Sequence, residues 1–430
     1  MEENRDTKEK ERAILAGVDL ADDPHFDRAM SELKSLAEAC EMVVAGIITQ
    51  KLPSVNTALY MGPGKVEELK EFIDLQEADI VIFDNALSPT QLRNLQKTLD
   101  KPILDRTSLI LDIFSRRAGT REAKLQVESA KLQYLLPRLV GMHEALSRQG
   151  GGSGLANKGA GEKKLELDRR KIEHRIAELR KELDVVSGER ATQRKKRVRS
   201  GIPLVSLVGY TNAGKSTLMN AFLDTYGAEN EKKVLEKDML FATLDTTVRC
   251  INLPNKRSFL LSDTVGFIHS LPTMLVKAFR STLEEAAGAD LLLQVIDCSD
   301  EDCDRQIEVT EKTLKELGCG HIPMIYIFNK ADLAGKEYPR IIGNNRIYMS
   351  AGRKSGIQEL TELIEEALYG KDVEASYLLP YSNGAQASYL MSHAVIKETA
   401  YRENGIYVRA ICKESDYGRF QEFRIGESEE

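Results

Sequence analysis

The sequence predicts a multidomain α/β protein whose largest domain has a mostly parallel sheet with helices on both faces. Three observations lead to this fold class. At 430 residues, the chain exceeds the usual size of a single domain. Short apolar runs alternate with stretches of helical periodicity, which is typical of α/β domains with parallel sheets. Two apolar stripes at heptad-like spacing interrupt this alternation and favour an antiparallel pair of helices.

Breaks between these patterns divide the chain into five segments. We expect an N-terminal α/β domain at 1–115, a helical hairpin at 116–190 with a glycine-rich loop at 150–161, a basic linker at 191–200, a second α/β domain at 201–370 and a small C-terminal α/β appendage at 371–430. In the appendage, the pattern predicts a helix near Tyr389–Tyr401 and strands at Ile406–Cys412 and Phe420–Ile425. No motif in the appendage indicates a chemical role.

The N-terminal domain is predicted to contain four short buried strands with helices between them. The strands are Ala13–Val18, Met42–Ile48, Ile80–Phe83 and Ile103–Leu104, and the helices include Phe26–Ala39 and Val66–Leu75. The sequence Ser88-Pro-Thr-Gln91 has the form of a capping box with proline at the first helical position, so it predicts a helix start. The turn Met61-Gly-Pro-Gly-Lys65 lacks the glycine spacing of the nucleotide-binding fingerprints, and we interpret it as structural.

The predicted hairpin depends on the two apolar stripes. The first contains Leu125, Leu132, Leu135 and Leu139, and the second contains Leu165, Ile172, Ile176, Leu179 and Leu183. This spacing gives each helix a narrow apolar seam, and two consecutive seams pack as an antiparallel hairpin. The stretch between them contains six glycines from Gly150 to Gly161. Taken alone, such a stretch indicates a flexible linker.

Composition and charge exclude some classes of protein and indicate one kind of partner. No apolar run reaches the roughly 18 residues that a spanning helix needs, and the charged N-terminus is not a secretory signal. The six cysteines lack zinc-site spacing, which indicates reduced thiols in a cytosolic protein. The net charge is −7, yet Lys163–Arg199 has a local charge of +7. A polyanionic partner and a solvated helix face both explain this contrast.

A phosphate-binding motif opens the second α/β domain. The apolar run Leu204–Val208 predicts a strand that leads into Gly209-Tyr-Thr-Asn-Ala-Gly214-Lys215-Ser216-Thr217 and then a helix at Leu218–Leu223. The motif matches G-x-x-x-x-G-K-[ST], in which backbone N–H groups curl around phosphates at a helix N-terminus. Lys215 is expected to reach the β- and γ-phosphates, and Ser216 to offer its hydroxyl to Mg²⁺.

Two further segments are expected to sense the γ-phosphate and its metal. Asp263-Thr-Val-Gly266 follows an apolar strand, so Asp263 is expected to hold Mg²⁺ through water and the Gly266 N–H to contact the γ-phosphate. The loop 241–245 lies 27 residues after Ser216, the usual place of a switch loop. Its Thr243 is the candidate second Mg²⁺ ligand.

The last two motifs predict recognition of guanine. Asn329-Lys-Ala-Asp332 follows the apolar strand Ile325–Phe328. A carboxylate at Asp332 can accept from the ring N–H and the exocyclic amine of guanine, a donor pair that adenine lacks. Ser350-Ala351 supplies a loop whose backbone can meet guanine O6. The motifs occur in the order of a G domain and together predict a GTP site.

The predicted site therefore comprises residues from five segments. The expected nucleotide contacts are Gly209, Tyr210, Thr211, Asn212, Ala213, Gly214, Lys215, Ser216 and Thr217, then Phe241, Ala242, Thr243, Leu244 and Asp245, then Asp263, Thr264, Val265 and Gly266, then Asn329, Lys330 and Asp332, and finally Ser350, Ala351 and Gly352. We assign catalysis to Lys215, Thr243 and Gly266, and Mg²⁺ to Ser216, Thr243 and Asp263.

Two residues predict how hydrolysis proceeds. Phe267 stands where Ras-type proteins keep a glutamine that positions water. Because phenylalanine cannot orient a nucleophilic water, we expect slow intrinsic hydrolysis, with Thr243 or a backbone carbonyl as the alternative orienting group. Asn212 lies where several cation-activated G proteins place an asparagine. K⁺ at the phosphate loop is therefore a hypothesis that stays open.

With these motifs assembled, the sequence resembles the HflX family of ribosome-associated GTPases, within the Obg–HflX group. The resemblance covers residues 10–370 and rests on LYMGPGKVEEL, DRTSLILDIFSRRAGTREAKLQVE, GEKKLELDRRKI, GYTNAGKSTLMN, LFATLDTTVR, DTVGFIHSLP and KAFRSTLEEAAGADLLLQVID. It implies an N-terminal α/β domain with a helical hairpin, a G domain, and binding to the 50S ribosomal subunit. It also implies that the protein splits or rescues stalled ribosomes, with the hairpin reaching towards the peptidyl-transferase region.

The resemblance gives the hairpin loop a second interpretation, contact with ribosomal RNA. Glycines would allow close backbone approach, and basic side chains would neutralise phosphates. The candidates are Lys158, Lys163, Lys164, Arg169 and Arg170. We expect a cytoplasmic monomer whose partners are GTP or GDP and the 50S subunit, with peripheral association at the membrane left open. A ribosome-assembly factor, and an RNA-binding module locked by its G domain, are the alternative functions.

Overall fold

The structure is a computed structural model of the chain. It describes residues 10–20, 23–148, 155–227, 241, 247–255, 257–264, 266–268, 286–370, 372–412 and 414–425, of which 140–148, 155–165, 190–200 and 414–415 are described by backbone alone. The chain divides into two units, which are taken one at a time below. Unit 1 is Met1–Arg190, Lys237–Asp245 and Val265–Thr282, and unit 2 is Ala191–Glu236, Thr246–Thr264 and Leu283–Glu430.

Unit 1 begins with a four-stranded parallel sheet of order β2-β1-β3-β4. Its elements are β1 (Arg12–Leu20), α1 (Phe26–Ala39), β2 (Val43–Leu52), α2 (Pro63–Leu75), β3 (Ile80–Phe83), α3 (Pro89–Leu99), β4 (Ile103–Asp105) and α4 (Arg106–Arg117). The predicted strands and helices are all present, although β1, β2, β4 and α2 are longer than predicted and β2 begins at Val43. The capping box is confirmed, because the Ser88 hydroxyl accepts from the Gln91 N–H while the Gln91 side chain accepts from the Ser88 N–H.

Two long helices follow in the chain, and the second runs past Arg190, the last residue of this stretch of unit 1. They are α5 (Arg121–Arg148) and α6 (Leu155–Ser200). Their antiparallel arrangement, as predicted, follows from two ion pairs, Arg175 with Glu128 and Arg121 with Glu182. Ile176 and Leu179 are buried in the seam, whereas Leu135 was wrongly placed there and is 46% exposed. In the described ranges, no helix is long and apolar enough to cross a bilayer.

Two predictions about α6 were wrong. The glycine-rich loop was expected to extend through residue 161, but the helix begins at Leu155, so 155–161 are helical. The basic stretch 191–200, expected to be a linker, continues the same helix to Ser200. A glycine costs a helix only about 1 kcal/mol relative to alanine, and the alanines, lysines and arginines around these glycines are good helix formers. The glycine count therefore misled the prediction.

Unit 2 contains a seven-stranded sheet of order β10-β11-β9-β8-β5-β7-β6. Its elements are β5 (Leu204–Gly209), α7 (Lys215–Tyr226), β6 (Thr247–Asn252), β7 (Ser258–Asp263), β8 (Leu291–Asp297), α8 (Cys303–Glu316), β9 (Met324–Asn329), β10 (Arg340–Ile342), β11 (Arg346–Tyr348) and α9 (Ile357–Tyr369). The five central strands are parallel, and the two edge strands are antiparallel to their neighbours. Because parallel strands end at one edge, the loops after β5, β7, β8, β9 and β11 meet there.

The C-terminal part of unit 2 is an antiparallel sheet of order β13-β14-β12-β15. Its elements are β12 (Val373–Leu379), α10 (Gly384–His393), β13 (Val395–Arg402), β14 (Gly405–Cys412), α11 (Glu414–Arg419) and β15 (Arg424–Ile425). The predicted helix at Tyr389–Tyr401 was wrong beyond His393, since the β-branched residues after it favour strand β13. The strand predicted at Phe420–Ile425 shrinks to β15, because Gln421–Phe423 form a turn of 3₁₀ helix.

Candidate nucleotide-binding site

The loop between β5 and α7 has a shape that only glycine permits at two positions. Gly209 has φ +141°, and a Cβ there would lie 2.2 Å from the Val295 carbonyl oxygen. Gly214 has φ +96°, and its Cβ would lie 2.3 Å from Asn329 Nδ2. Asn212 also adopts a left-handed conformation, at φ +60°. Loops with such conformations turn successive N–H groups to one concave side, which is how proteins bind phosphate.

Lys215 places a buried cation in this loop. It is the first residue of α7 and is only 7% exposed. Its ammonium donates to the carbonyl oxygens of Gly209 (3.1 Å) and Tyr210 (2.7 Å). Burial lowers the pKa of Lys215 to about 8, against the opposing charge of Asp263. Two carbonyl dipoles and the helix N-terminus thus surround a cation that phosphate oxygens can neutralise.

Oxygen ligands for a divalent cation meet beside the loop. The Ser216 hydroxyl donates to Asp263 Oδ2 at 2.8 Å, and Asp263 is fully buried. Thr264 is held by a 2.6 Å hydrogen bond from its hydroxyl to the Leu207 carbonyl oxygen. A hydroxyl and a carboxylate are hard oxygen donors, which fit Mg²⁺ rather than a softer metal. The donor set therefore suits Mg²⁺.

Asn329 ties together three of the loops at this edge. Its Nδ2 donates to the Ala213 carbonyl oxygen at 2.9 Å, and its Oδ1 accepts from the Ala351 N–H at 2.9 Å. One amide thereby links the phosphate loop, the end of β9 and the loop after β11. The sequence predicted all three segments, and the structure shows the amide that joins them.

The other residues of the predicted guanine site have partners that the sequence did not reveal. Lys330 pairs with Asp297 at 2.8 Å, and Asp332 accepts from Arg353 Nε at 3.1 Å. The hydroxyl of the buried Ser350 also donates to Asp332, and this bond is the largest cause of its lowered pKa. Asp297 could have been found from its place at the end of β8. For Arg353, the only signal in the sequence is that it follows the Ser350-Ala351 motif by two residues.

Several predicted residues belong to unit 1 or lie outside the described residues. Phe241, Gly266 and Phe267 belong to unit 1 and are buried, and the Phe241 ring packs edge-to-face on Phe114 with centroids 4.7 Å apart. Ala242, Thr243, Leu244, Asp245 and Val265 lie outside the described residues, as do the side chains of Lys158, Lys163 and Lys164.

Two RNA-binding candidates in α6 can be placed. Arg169 and Arg170 are 41% and 71% exposed, and both pair with Glu166. Their positive charge is therefore partly compensated within the helix.

Models of known protein families match most of the chain in three consecutive segments. They are described as "GTP-binding GTPase N-terminal" (residues 27–115), "GTP-binding GTPase Middle Region" (117–197) and "50S ribosome-binding GTPase" (204–330). GTPase HflX of Caldanaerobacter subterraneus subsp. tengcongensis is 47% identical over 404 residues, 94% of this chain and 91% of that protein. The chain belongs to the HflX family of GTPases. GTPase HflX of Escherichia coli is 38% identical over 400 residues, 92% of each chain.

Membership of the HflX family confirms the resemblance and gives the chain its activity, hydrolysis of GTP. The family models also match the hairpin and the N-terminal sheet as well as the G domain. Among solved structures, a GTP-binding protein from Sulfolobus solfataricus in complex with GDP is 25% identical, with a TM-score of 0.44 over 83% of this chain and 98% of that one.

Proposed function

We propose that this HflX-family GTPase binds GTP and Mg²⁺ at the carboxyl edge of the unit 2 sheet, and that bound GTP commits it to the 50S subunit. The observation that carries the proposal is the Asn329 amide, which joins the phosphate loop to both guanine-binding segments. A single side chain thereby couples the position of the phosphates to the position of the base. Such a site fits an intact guanine nucleotide better than a free phosphate or a free base.

Different residues at the carboxyl edge of the unit 2 sheet would bind the phosphates, the guanine base and Mg²⁺. The P-loop N–H groups and Lys215 would neutralise the phosphates, and Asp332 would accept the two donors of guanine. Ser216 would hold Mg²⁺ directly, Asp263 through water, and Thr243 as the second protein ligand. When bound, Mg²⁺ would neutralise charge on the β- and γ-phosphates. The Thr211 hydroxyl is buried without a hydrogen-bond partner among the described residues, so a ligand at the loop could satisfy it.

Slow intrinsic hydrolysis follows from the residue beside Gly266. Phe267 is 3% exposed, and its ring has no atom that could orient a water molecule. The Gly266 N–H and Thr243 would stabilise the γ-phosphate, and neither group is a strong general base. We therefore propose that a partner protein or RNA completes the site, so that the rate of GTP hydrolysis depends on binding of that partner.

The ribosome is the partner that the comparisons favour. The family model that matches residues 204–330 is named for binding to the 50S subunit. The local charge of +7 in Lys163–Arg199 would favour ribosomal RNA, and all these residues belong to one continuous helix, α6. We propose that the GTP-bound protein splits stalled ribosomes and that hydrolysis releases it.

Sedimentation tests this proposal. The full chain, with a non-hydrolysable GTP analogue, should convert 70S ribosomes into subunits in a sucrose gradient, and GDP should not. Added 50S subunits should also raise the GTPase rate. Stimulation by 50S without dissociation of 70S would favour an assembly factor. If the 50S subunit does not stimulate hydrolysis and the 70S ribosomes stay intact, the ribosomal role is refuted.

Asp332→Asn tests base recognition separately. An amide would present a donor to the 2-carbonyl of xanthine, so preference should move from GTP towards XTP. If the variant still prefers GTP, Asp332 does not read the base.

A monovalent cation at the phosphate loop is the remaining part of the proposal. Asn212 is exposed in the loop and holds a left-handed conformation, and its amide oxygen is a ligand type that a monovalent cation accepts. We propose K⁺ as the ion. GTPase rates should be higher in K⁺ than in Na⁺ at equal ionic strength, and equal rates would remove K⁺ from the account.

A further inference from the structure

One crossover of the unit 2 sheet is made without a helix. The parallel strands β8 and β9 are joined through α8, which is the usual arrangement, because parallel neighbours need a long connection and a helix normally provides it. Strands β9 and β11 are also parallel neighbours, yet residues 330–345 between them form turns and the short strand β10. All of these residues are described, and none of them forms a helix that would cover the sheet.

The face that this crossover leaves uncovered is the one on which α8 lies. Tyr326 of β9 donates its hydroxyl to Glu311 of α8 at 2.9 Å. Helix α8 packs mainly on β8 and β5, so β9 and β11 extend beyond it. The opposite face is covered, because Ile325, Ile327 and Ile347 are buried in one core with residues of α7 and α9.

The side chains on the α8 side of β9, β11 and β10 are aromatic, apolar or basic. Strand alternation and register place them in two cross-strand rows, Tyr326–Arg346–Ile342 and Phe328–Tyr348–Arg340. The rings of Phe328 and Tyr348 stack with centroids 4.7 Å apart. The three aromatic residues are only half-buried, and Ile342 is 41% exposed. These six residues are called the β9–β11 face below.

A groove runs between α8 and the β9–β11 face and contains a cavity of about 270 Å³. The apolar part of its lining includes Leu314 of α8 and Met324 and Tyr326 of β9. The volume is below the roughly 300–1,000 Å³ of pockets that enclose a small-molecule ligand, so it suits one side chain of a larger partner. From Met324 to Phe328 the strand is about 13 Å long, a length that about nine residues of helix span.

Two basic side chains flank the groove, and in the described part of the chain neither has an ion pair. Lys315 is exposed in the last turn of α8 and lines the cavity. Arg346 is exposed on β11, with its guanidinium carbon 5.6 Å from the centroid of the Tyr326 ring. The acidic residue in the lining, Glu311, already accepts from the Tyr326 hydroxyl. Acidic residues of a partner would therefore meet cations on both sides of an apolar floor.

We propose that this groove is a docking site for an amphipathic helix of a partner protein, with its apolar stripe on the β9–β11 face and acidic residues on both flanks. The helix would lie where a crossover helix normally covers a parallel sheet. Tyrosine, phenylalanine and arginine are enriched at protein interfaces, and a helix in an apolar groove is a recurring mode of recognition. Docking here requires none of the residues assigned to the nucleotide.

Two synthetic peptides test the docking site. Each is an alanine-rich helix of about 18 residues with leucines at i, i+3, i+4 and i+7, and the two differ only in having glutamates or lysines on the flanks. Fluorescence anisotropy with the full chain should show saturable binding of the glutamate peptide, with a Kd below about 1 mM. The lysine peptide should bind at least roughly ten-fold more weakly, and added salt should reduce this difference.

Substitutions with matched controls locate the binding. Ile342→Ser should weaken binding of the glutamate peptide about three- to ten-fold, because an apolar contact is lost. Ile341→Ser is its control, since Ile341 is 40% exposed but pairs with Ile347 on the opposite face. Lys315→Glu should weaken binding roughly five- to 20-fold. Its control is Lys312→Glu, an exposed lysine of the same helix outside the cavity lining. All four variants should keep the GDP affinity of the unsubstituted protein.

Three results would overturn the proposal. The first is no saturable binding of the glutamate peptide, or equal binding of the two peptides. The second is an equal loss of binding in Ile342→Ser and Ile341→Ser, which would place the peptide elsewhere. The third is a dimer of the full chain in sedimentation equilibrium that Ile342→Ser dissociates, because a second copy would then cover the groove.

Discussion

The two parallel sheets end in similar residues but use them differently. At the carboxyl edge of the unit 1 sheet, Arg106 Nε donates to Asp84 at 3.1 Å, and Arg138 pairs with the buried Asp105. In unit 2, glycines with positive φ shape a loop around Lys215, which donates to carbonyls of that same loop. In unit 2, the edge of the sheet keeps a cation, Lys215, beside the backbone N–H groups of the phosphate loop (hereafter the cradle), and this arrangement can bind a ligand. In unit 1, the Arg106–Asp84 and Arg138–Asp105 pairs (hereafter the joint) neutralise each other and serve structure.

The largest expected effect is on nucleotide binding. Lys215→Ala would remove a buried cation from the phosphates, and hydrogen bonds to charged groups contribute about 1.5–3 kcal/mol each. With two such bonds, GDP and GTP affinity should fall on the order of 100-fold or more in titration calorimetry. Lys65→Ala is the control, because Lys65 also directly follows a glycine, in the turn Gly62-Pro-Gly64, but pairs with Glu68 on the surface at 2.7 Å. A weakened affinity in the control would show that the unit 1 turn binds nucleotide as well.

The opposite test breaks the joint in unit 1. Arg138 also stacks over Tyr134, with its guanidinium carbon 3.7 Å from the ring centroid. Arg138→Met would leave Asp105 buried without its cation, which typically costs about 3–5 kcal/mol. Native-state hydrogen exchange at β3 and β4 should report this loss, and GDP affinity should stay unchanged. Arg116→Met is the control, since the Arg116 pair with Glu41 is long and exposed; an equal loss there would count against the special role of the joint.

A smaller effect should follow from adding one methyl group, by a glycine-to-alanine substitution, at the carboxyl edge of each sheet. Gly214→Ala would force a left-handed conformation and a contact with Asn329, and strain of this kind costs about 1–3 kcal/mol, which should weaken GDP binding roughly five- to 150-fold. Gly62→Ala in unit 1 has φ −64°, and its Cβ would meet only the end of the Gln50 side chain at 3.1 Å. GDP affinity and stability should both be nearly unchanged in Gly62→Ala. Equal GDP affinity of the two variants would contradict the cradle.

The mildest test uses acid. Burial raises the pKa of Asp105, but the charge of Arg138 and hydrogen bonds from Tyr134, Ser108 and Leu87 outweigh it and hold the pKa below its usual value. The stability that Asp105 provides is therefore complete above about pH 3.9, its unfolded pKa, and is lost as pH falls through the folded pKa. Protection of β3 and β4 should decrease in that window. Asp105→Asn should be less stable at neutral pH, and its protection of β3 and β4 should depend less on pH in acid. If its protection falls with pH as steeply as in the unsubstituted protein, Asp105 is not the cause.

How much the sequence predicts depends on the range of the interactions involved. The sequence predicts the features that depend on local patterns: the four strands of the unit 1 sheet, strands β5, β7 and β9 of unit 2, the Ser88 capping box and the nucleotide motifs. It did not predict β6, β8, β10 and β11. Partners such as Arg353 for Asp332 and Arg138 for Asp105 lie 21 and 33 residues apart, and no periodicity reports such pairs. The predictions for the start of α6 and for strand β13 were wrong. They gave glycine and tyrosine content more weight than the helix formers and β-branched residues in the same segments.

The most direct test of the comparison is hydrogen–deuterium exchange of the full chain with and without GDP and Mg²⁺, read by mass spectrometry. Added protection should appear in peptides covering the phosphate loop, Asn329–Asp332 and Ser350–Arg353. Peptides covering Asp84–Ser88 and Asp105–Ser108 should exchange as before, because their side chains already satisfy one another. Protection at the unit 1 edge without protection at the phosphate loop would contradict the account.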